Sequence, residues 1–388
     1  MNLKKNPCKK VLLILGTRPE LLKLTSVYHE LLKYPSLNVS VCNTGQHAEL
    51  IDDVIESSGL KIEYFLNSFA GGQSPNRLLS KIVLGIETIL ESSKYDYGIV
   101  QGDTTTTLAG ALALFNRNVP FGHVEAGLRS FDLTSPWPEE GNRQIVSRIA
   151  LHHFVPSSLE SANLNAESIK NSIIPVGNPI IDLLKNRYEK MVTSGELIRR
   201  LKAFSEALFK GKLVVLVTLH RRETSDNAYK RIAELLTRLL EKPNMEILVI
   251  THPNERFSKH FDLTKNRTET SGQLRLLPAQ GHEDFLSLLS RADLVMTDSG
   301  GVQEEAPSLG KRVIVLRSNT ERVQSLESGN ASLIDPELLK MADVEALLSN
   351  QKLDVSKWVP PKFEESVYGD GKSGSRIAKF IANYLNKN

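Results

Sequence analysis

The sequence predicts an α/β protein made of two doubly wound parallel sheets, and three observations lead there. Short apolar runs such as VLLIL at Val11–Leu15 and LVVLVT at Leu213–Thr218 recur along the chain. Each ends in glycine or polar residues and is followed by a helical stretch, the alternation that builds parallel sheets. At 388 residues the chain is too long for one ordinary core, so two domains are expected. The alternation is also interrupted once, at Gly177-Asn178-Pro179 and the charged run after it. The hinge is therefore placed near Gly177.

In the first half, strands are expected at Val11–Leu15, Val39–Asn43, Tyr97–Val100, Val119–His123, His153–Val155 and Ile173–Val176. Helices are expected from Pro19 to Lys33 and from Asn76 to Leu90, the second after the glycine-bearing loop Ala70–Gln73. Asp182 to Lys210 reads as a charged helical run. The second half places strands at Leu213–Thr218, Glu246–Thr251, Leu274–Leu277, Asp293–Thr297 and Val313–Leu316. An amphipathic helix over Ser375–Leu385 closes the chain, by its apolar periodicity.

Composition narrows the function classes. Hydrophobic residues make up 40% and charged residues 24%, as in an ordinary globular protein. The 48 basic and 45 acidic residues nearly balance at +3, which gives no case for a nucleic-acid partner and leaves room for a local basic site. Cys8 and Cys42 are the two cysteines; they offer neither a disulfide framework nor metal-ligand spacing, which favours a reducing cytoplasm. The apolar run after the basic start is too short for a signal peptide or a membrane span. HExxH, CxxC, GxSxG and a Walker lysine are all absent from the sequence, so no metal is expected.

The first strand runs into Gly16-Thr17-Arg18-Pro19-Glu20. A strand, a glycine turn and a helix can aim backbone amides at an anion, and Arg18 and Lys23 could reach a phosphate or carboxylate from there. GxGxxG is missing. Asp103 follows the third strand in Gln101-Gly102-Asp103, where it could act on a ligand or cap the next helix. The stretch Gly122–Arg143, GHVEAGLRSFDLTSPWPEEGNR, gathers Glu125, Asp132, Glu139 and Glu140 with His123, Arg129 and Arg143. Glu125 sits past a strand end, where open parallel sheets hold ligands. Glu139 and Arg143 stand four apart, close enough to pair on a helix; the alternative is that these acids merely complement a helix dipole.

In the second half, Asp298-Ser299-Gly300-Gly301 is the strongest phosphate cradle: two glycines after a strand allow close backbone approach, and the next helix presents free N–H groups. Glu305 is placed to accept from ribose hydroxyls. His220, with Arg221 and Arg222, forms a cationic cluster suited to the leaving oxygen of a diphosphate. Arg322 is a further cation. Together these features suit an activated phosphorylated small molecule.

With GTRPE, QGDTTTT, GHVEAGLRS, SPWPEEGNR, HRRE, TDSGGVQEEAPSLGK and TER in order from Gly16 to about Gly371, the chain resembles the non-hydrolysing UDP-N-acetylglucosamine 2-epimerases. The resemblance implies two Rossmann-like domains of the GT-B kind facing a central cleft. One spans 1–177, acid-rich and on the sugar side, with helix 373–388 packing back on it; the other spans 178–372 and binds UDP. It also implies a homodimer, a UDP-sugar substrate and no cofactor. Carried over by position, Asp103, Glu125, Glu139 and His220 are the catalytic candidates. Arg18, Lys23, Gln280, Ser299, Gly300, Gly301, Glu305 and Arg322 are the substrate-binding ones. The implied reaction removes the C2 proton while UDP leaves, then re-adds UDP with the proton on the other face.

Some positions depart from the family pattern. Val323-Gln324 follows TER where Pro-Glu is usual, and Thr25-Ser26-Val27 stands where many members read Ala-Pro-Val. Bacterial members bind a second UDP-N-acetylglucosamine as activator, and Gln46, His47 and His252 match that region. Glu49 and Gly72 replace an expected glutamine and arginine, so activation is expected to be weak or absent. A related UDP-diacetamido-uronic acid is the alternative substrate, and hydrolytic release of N-acetylmannosamine the alternative reaction. The retained Pro138-Glu139-Glu140 argues against hydrolysis. A retaining glycosyltransferase or a nucleotide-sugar sensor would leave the acids of the first half without a purpose.

Overall fold

The computed structural model describes residues 8–46, 55–56, 58–204, 213–219, 224–241, 245–250, 274–320, 322–340, 342–345, 363 and 366–387. The chain divides into two compact units. One holds the residues up to Leu183 together with those from Tyr368 onward, and the other is Leu184–Val367. The first crossing thus lies between Leu183 and Leu184, a little beyond Gly177.

Among its described residues the first unit is built on seven strands: β1 (Lys9–Leu15), β2 (Leu37–Asn43), β3 (Tyr64–Phe65), β4 (Tyr97–Gln101), β5 (Phe121–Val124), β6 (His152–Val155) and β7 (Ser172–Pro175). They pair in the order β3-β2-β1-β4-β5-β6-β7, every pairing parallel. The helices are α1 (Arg18–Leu31), α2 (Pro75–Ser92), α3 (Thr105–Asn116), α4 (Glu139–Ile149), α5 (Ser158–Ala166) and α6 (Pro179–Thr193), whose start belongs to this unit. The strand order reverses between β1 and β4, so the crevice beyond their carboxyl ends is where such a sheet receives a ligand.

Strand β1 shows why its run is continuously apolar. Val11, Leu13 and Leu15 enter one core cluster with Leu21, Leu24 and Leu31 of α1. Leu12 and Ile14 enter the cluster on the other face with Ile82 and Ile86 of α2. A strand covered on both faces cannot alternate apolar with polar. The last helix, α12 (Ser373–Lys387), joins the first of these clusters through Ile377, Ala378, Ile381, Ala382 and Leu385. Its start is held by Asp182, whose carboxylate accepts from Ser373 N at 2.9 Å and Gly374 N at 2.7 Å. Gly374 is required there, because a Cβ would come within 2.8 Å of the Ser26 carbonyl carbon.

Among its described residues the second unit carries six strands: β8 (Leu213–Thr218), β9 (Met245–Ile250), β10 (Leu274–Leu277), β11 (Leu294–Thr297), β12 (Arg312–Leu316) and β13 (Ala331–Ile334). Their order is β10-β9-β8-β11-β12-β13, again parallel throughout. Its helices are α7 (Glu196–Phe204), α8 (Asp226–Leu239), α9 (His282–Arg291), α10 (Gly300–Ser308) and α11 (Gln324–Glu327), with the end of α6. Two strands were not expected from the sequence, β3 and β13. Two residues are too few to show a pattern at β3, and Ser332 interrupts the apolar run of β13. The charged run after Asp182 is two helices rather than one, because Gly195 takes a φ of +70° and ends α6.

Three buried histidines of the first unit tie its stability to pH. Burial lowers the His123 pKa to about 3 and the His152 pKa to about 4, and also lowers that of His153. Unfolding returns each to its usual value near 6.5. A folded-state pKa below the unfolded one gives stability that is complete above about pH 6.5 and lost as pH falls towards the folded value, at about 1.4 kcal/mol per unit. His152 lies 2.7 Å from Tyr97 Oη through Nδ1. His152→Asn, which keeps a polar partner for that hydroxyl, is expected to flatten the fall in melting temperature between pH 6.5 and 4. An unchanged slope, measured by thermal unfolding in a pH series, would remove His152 from this role.

Candidate active site

The first turn of the first unit holds an anion of its own. Glu20 Oε2 accepts from Gly16 N and Thr17 N, both at 2.8 Å, and from Thr17 Oγ1 at 3.0 Å. Its Oε1 accepts from Thr104 Oγ1 at 2.5 Å and Thr107 Oγ1 at 3.0 Å. The anion that the backbone amides of Gly16–Glu20 face is thus a carboxylate of the chain itself. Burial raises the Glu20 pKa, against the lowering effect of Thr104, Gly16 and Thr17. Arg18 stands exposed at the head of α1, whereas Lys23 turns inward and is buried.

Lys23 meets Glu125. Its Nζ donates to Glu125 Oε1 at 2.5 Å, and both residues are less than a tenth exposed. Asn178 Nδ2 also donates to Oε1, at 3.3 Å, and Gln101 Nε2 donates to Oε2. Glu125 follows the last residue of β5 and takes a φ of +63°, a backbone region uncommon for a side chain of this size. That local cost is sustained by the surrounding hydrogen bonds, the usual condition for such strain. A cation and two amides thus hold this buried carboxyl in one direction.

Asp103 forms the second acidic centre, one strand away. Arg143 donates to its Oδ2 from Nε at 2.9 Å and Nη2 at 2.6 Å, and Asn142 Nδ2 donates to its main-chain carbonyl at 2.8 Å. The capping alternative for Asp103 is not realised: Thr104 is the N-cap of α3, with its side chain accepting from Thr107 N. His123 steadies the same loop, its Nε2 lying 2.7 Å from Gly102 O. With a pKa lowered to about 3 that histidine is neutral.

Glu139 is the first, half-buried residue of α4. Arg143 serves Asp103 and also donates from Nη1 to Glu140 Oε2 at 3.2 Å, a pairing at the three-residue spacing. Glu140 is fully buried and also accepts from Ser130 N and Gln144 Nε2, both at 3.0 Å. Burial pushes its carboxyl up, but the Ser130, Gln144 and Arg143 donors outweigh it and leave the pKa below the usual value. Arg129 is committed to Glu167 and Ser147 and serves the scaffold. Gln46 accepts from Thr106 N and Oγ1 at 3.0 and 2.8 Å, which ties it to the start of α3.

In the second unit β11 ends at Thr297, Asp298 is buried and Ser299 is the N-cap of α10. The Ser299 hydroxyl makes no capping bond. Arg322 lies over the helix start: a Cβ on Gly300 would come within 3.1 Å of its Cζ and Nη1. Arg322 Nε donates to Glu304 Oε1 at 2.8 Å, which sets the guanidinium plane. Free N–H groups at a helix start, a hydroxyl and a guanidinium converge here, the makings of a diphosphate site. Glu305 Oε1 lies 3.8 Å from where a Gly301 Cβ would stand. Gln280 sits in the loop before α9, its amide donating to Pro278 O at 2.6 Å.

His220, His47 and His252 lie outside the described residues, as do Arg221, Arg222 and Glu49. Gly72 is exposed with a φ of +73°, and a Cβ there would meet nothing within 4 Å. Among the described residues no group of three or more His, Cys, Asp or Glu is placed to hold a metal ion, and no helix is long and apolar enough to cross a membrane.

The structure thus brings Lys23 to Glu125 and Arg143 to Asp103, and puts Ser299, Gly300 and Arg322 together in the other unit. Sequence reasoning missed Gln101, Asn178, Glu20 and Glu140 as partners. Gln101 carried one usable signal, its place at the end of a strand beside Asp103. Glu20 and Glu140 carried local signals, the Thr17-x-x-Glu20 capping box and the helical spacing to Arg143, whereas Asn178 meets Glu125 far away in sequence and carried none.

The chain as a whole has clear relatives among known proteins. A family profile described as UDP-N-acetylglucosamine 2-epimerase matches residues 29–382. The UDP-N-acetylglucosamine 2-epimerase of Salmonella typhimurium is 37% identical over 378 residues, 97% of this chain and 99% of that protein. The crystal structure of UDP-GlcNAc 2-epimerase from Neisseria meningitidis bound to UDP-GlcNAc superposes with a TM-score of 0.83 at 34% identity, covering 98% of this chain and 100% of that one. The Methanocaldococcus jannaschii UDP-GlcNAc 2-epimerase in complex with UDP-GlcNAc and UDP gives 0.75 at 33% identity, over 96% and 99%.

Proposed function

The chain belongs to the UDP-N-acetylglucosamine 2-epimerase family, and on that premise we propose that it interconverts UDP-N-acetylglucosamine and UDP-N-acetylmannosamine by elimination and re-addition of UDP. A carboxylate of the first unit takes the C2 proton and the C1–O bond to UDP breaks. The products of this half-reaction are 2-acetamidoglucal and UDP. UDP then re-adds at C1 while a proton is delivered to the opposite face of C2. Asp103, Glu125 and Glu139 are the acids assigned to these proton transfers. Ser299, Gly300, Gly301 and Arg322 are assigned to the diphosphate, where a cation and fixed dipoles stabilise the charge that grows on UDP. Gln280, Glu305, Arg18 and His220 complete the proposed contacts.

The observation that carries this reading is a pair of cation-held carboxylates, Glu125 with Lys23 and Asp103 with Arg143, beyond the carboxyl ends of adjacent strands. Side chains that move a proton without a hydride carrier need such acids. The same reading makes the protein a cytoplasmic homodimer supplying precursors of cell-surface polysaccharide. Two free cysteines, one of them buried, are compatible with a reducing compartment.

Turnover in heavy water tests the chemistry. Both recovered UDP-N-acetylglucosamine and product UDP-N-acetylmannosamine are expected to carry deuterium at C2, read by mass spectrometry and proton NMR. Full epimerisation with no deuterium uptake would exclude the elimination route, and accumulation of free N-acetylmannosamine would show hydrolysis instead.

A further inference from the structure

Asn178 sits where the chain prepares to leave the first unit, and every polar group of its side chain is used there. Its backbone N–H donates to Tyr368 O at 2.7 Å, and Tyr368 opens the segment that returns to this unit. Its side-chain Oδ1 accepts from Ile180 N at 3.2 Å, at the start of α6. That bond fixes which end of the amide is oxygen, so Nδ2 is the group that faces Glu125 Oε1 at 3.3 Å. The residue is 1% exposed.

The backbones around it leave little freedom. Gly177 has a φ of +90° and Gly369 a φ of +120°; a Cβ on Gly177 would come within 3.3 Å of the Gly369 Cα, and one on Gly369 within 3.0 Å of the Gly177 Cα. Side chains at either position would push the outgoing and returning segments apart. The carboxylate at the other end of the amide is gripped by Lys23 of α1 and Gln101 of β4. Lys23 is the charged group hydrogen-bonded to it, and Gln101 the second amide.

We propose that Asn178 is a positioning residue for Glu125, tying the direction of that carboxylate to the joint through which the chain leaves and re-enters the unit. The inference rests on the reading of Glu125 as a proton-transfer group. Lys23 supplies the compensating charge but comes from a long, flexible stem. The short Asn178 side chain, pinned at both its backbone and its oxygen, supplies the direction. A shift of Gly177 or Gly369 is passed to the carboxylate through this residue.

The test compares Asn178→Asp and Asn178→Ser with wild type. Both keep the backbone bond to Tyr368 and an oxygen for Ile180 N–H, while neither retains the amide that donates to Glu125. Loss of one hydrogen bond to a charged group is expected to lower kcat by about ten- to a hundredfold, with KM changed by less than about threefold. The acidic limb of the rate profile should move to higher pH, further for Asn178→Asp than for Asn178→Ser, since a neighbouring negative charge favours the protonated carboxyl. Melting temperature and the fraction of folded protein are measured alongside. Lowered melting temperature with kcat and the pH profile unchanged in both variants would reduce Asn178 to a structural role and overturn the proposal. Glu125→Gln is run in parallel: full activity in that variant would defeat the reading of Glu125 itself, a result distinct from silent Asn178 variants beside an impaired Glu125→Gln.

Discussion

Glu125→Gln is expected to lower kcat by about 10²–10⁴-fold, the usual contribution of a general acid or base. It is also expected to destabilise the first unit, because Lys23 is buried against this carboxylate and would lose that charge as a partner. Breaking a buried pair from one side costs about 3–5 kcal/mol. The two effects separate in a cycle. In Lys23→Met with Glu125→Gln the buried cation is gone as well, so most of the lost melting temperature should return while kcat stays low. Recovery of both together would mean that the single variant was merely misfolded and that Glu125 contributes packing alone. Epimerisation rate at saturating UDP-sugar and thermal unfolding of the four proteins decide the matter.

Asp103→Asn should show the rate effect with little of the stability effect. Arg143 keeps Glu140 as a partner when Asp103 loses its charge, and the cap of α3 belongs to Thr104. About a quarter of the Asp103 side chain is exposed, so weakening this charged contact costs no more than about 1.5–3 kcal/mol. Turnover, by contrast, should fall by about 10²–10⁴-fold if this carboxylate handles a proton. Near-normal turnover with a clearly lower melting temperature would assign Asp103 to the scaffold instead.

Much of this architecture could be read in the sequence, for a definite physical reason. A strand buried on both faces must be apolar at every position, and β1 and β8 are the most continuous such runs. Strand ends carry the groups that act on ligands, so Asp103, Glu125 and Ser299 stood out by position alone. The partners that orient them did not. Lys23 reaches Glu125 from α1, Asn178 from the segment after β7, and Arg143 chooses Asp103 as well as its helical neighbour Glu140. Local spacing encodes helical pairs, and these contacts join residues brought together only by the winding of the sheet. Gly16–Glu20 differs: its strand, turn and helix do face an anion, and the hydrogen bonds show that this anion is the local Glu20 carboxylate, in a capping box with Thr17.

That seated carboxylate has a consequence for how the two units differ. Glu20 behaves as a competitor tethered to the site it occupies, and a group on a short tether acts at an effective concentration on the order of millimolar or more. A free phosphate entering the first unit would have to displace a ligand that can never diffuse away and that already accepts from the Gly16 and Thr17 amides of the turn. The start of α10 has instead a cation of its own, Arg322, beside it. Two sheets of the same winding are thereby made unlike in what they accept. In the proposed reaction, that asymmetry would keep the departing nucleotide with the unit that grips it, away from the carboxylates that must meet the sugar ring bare.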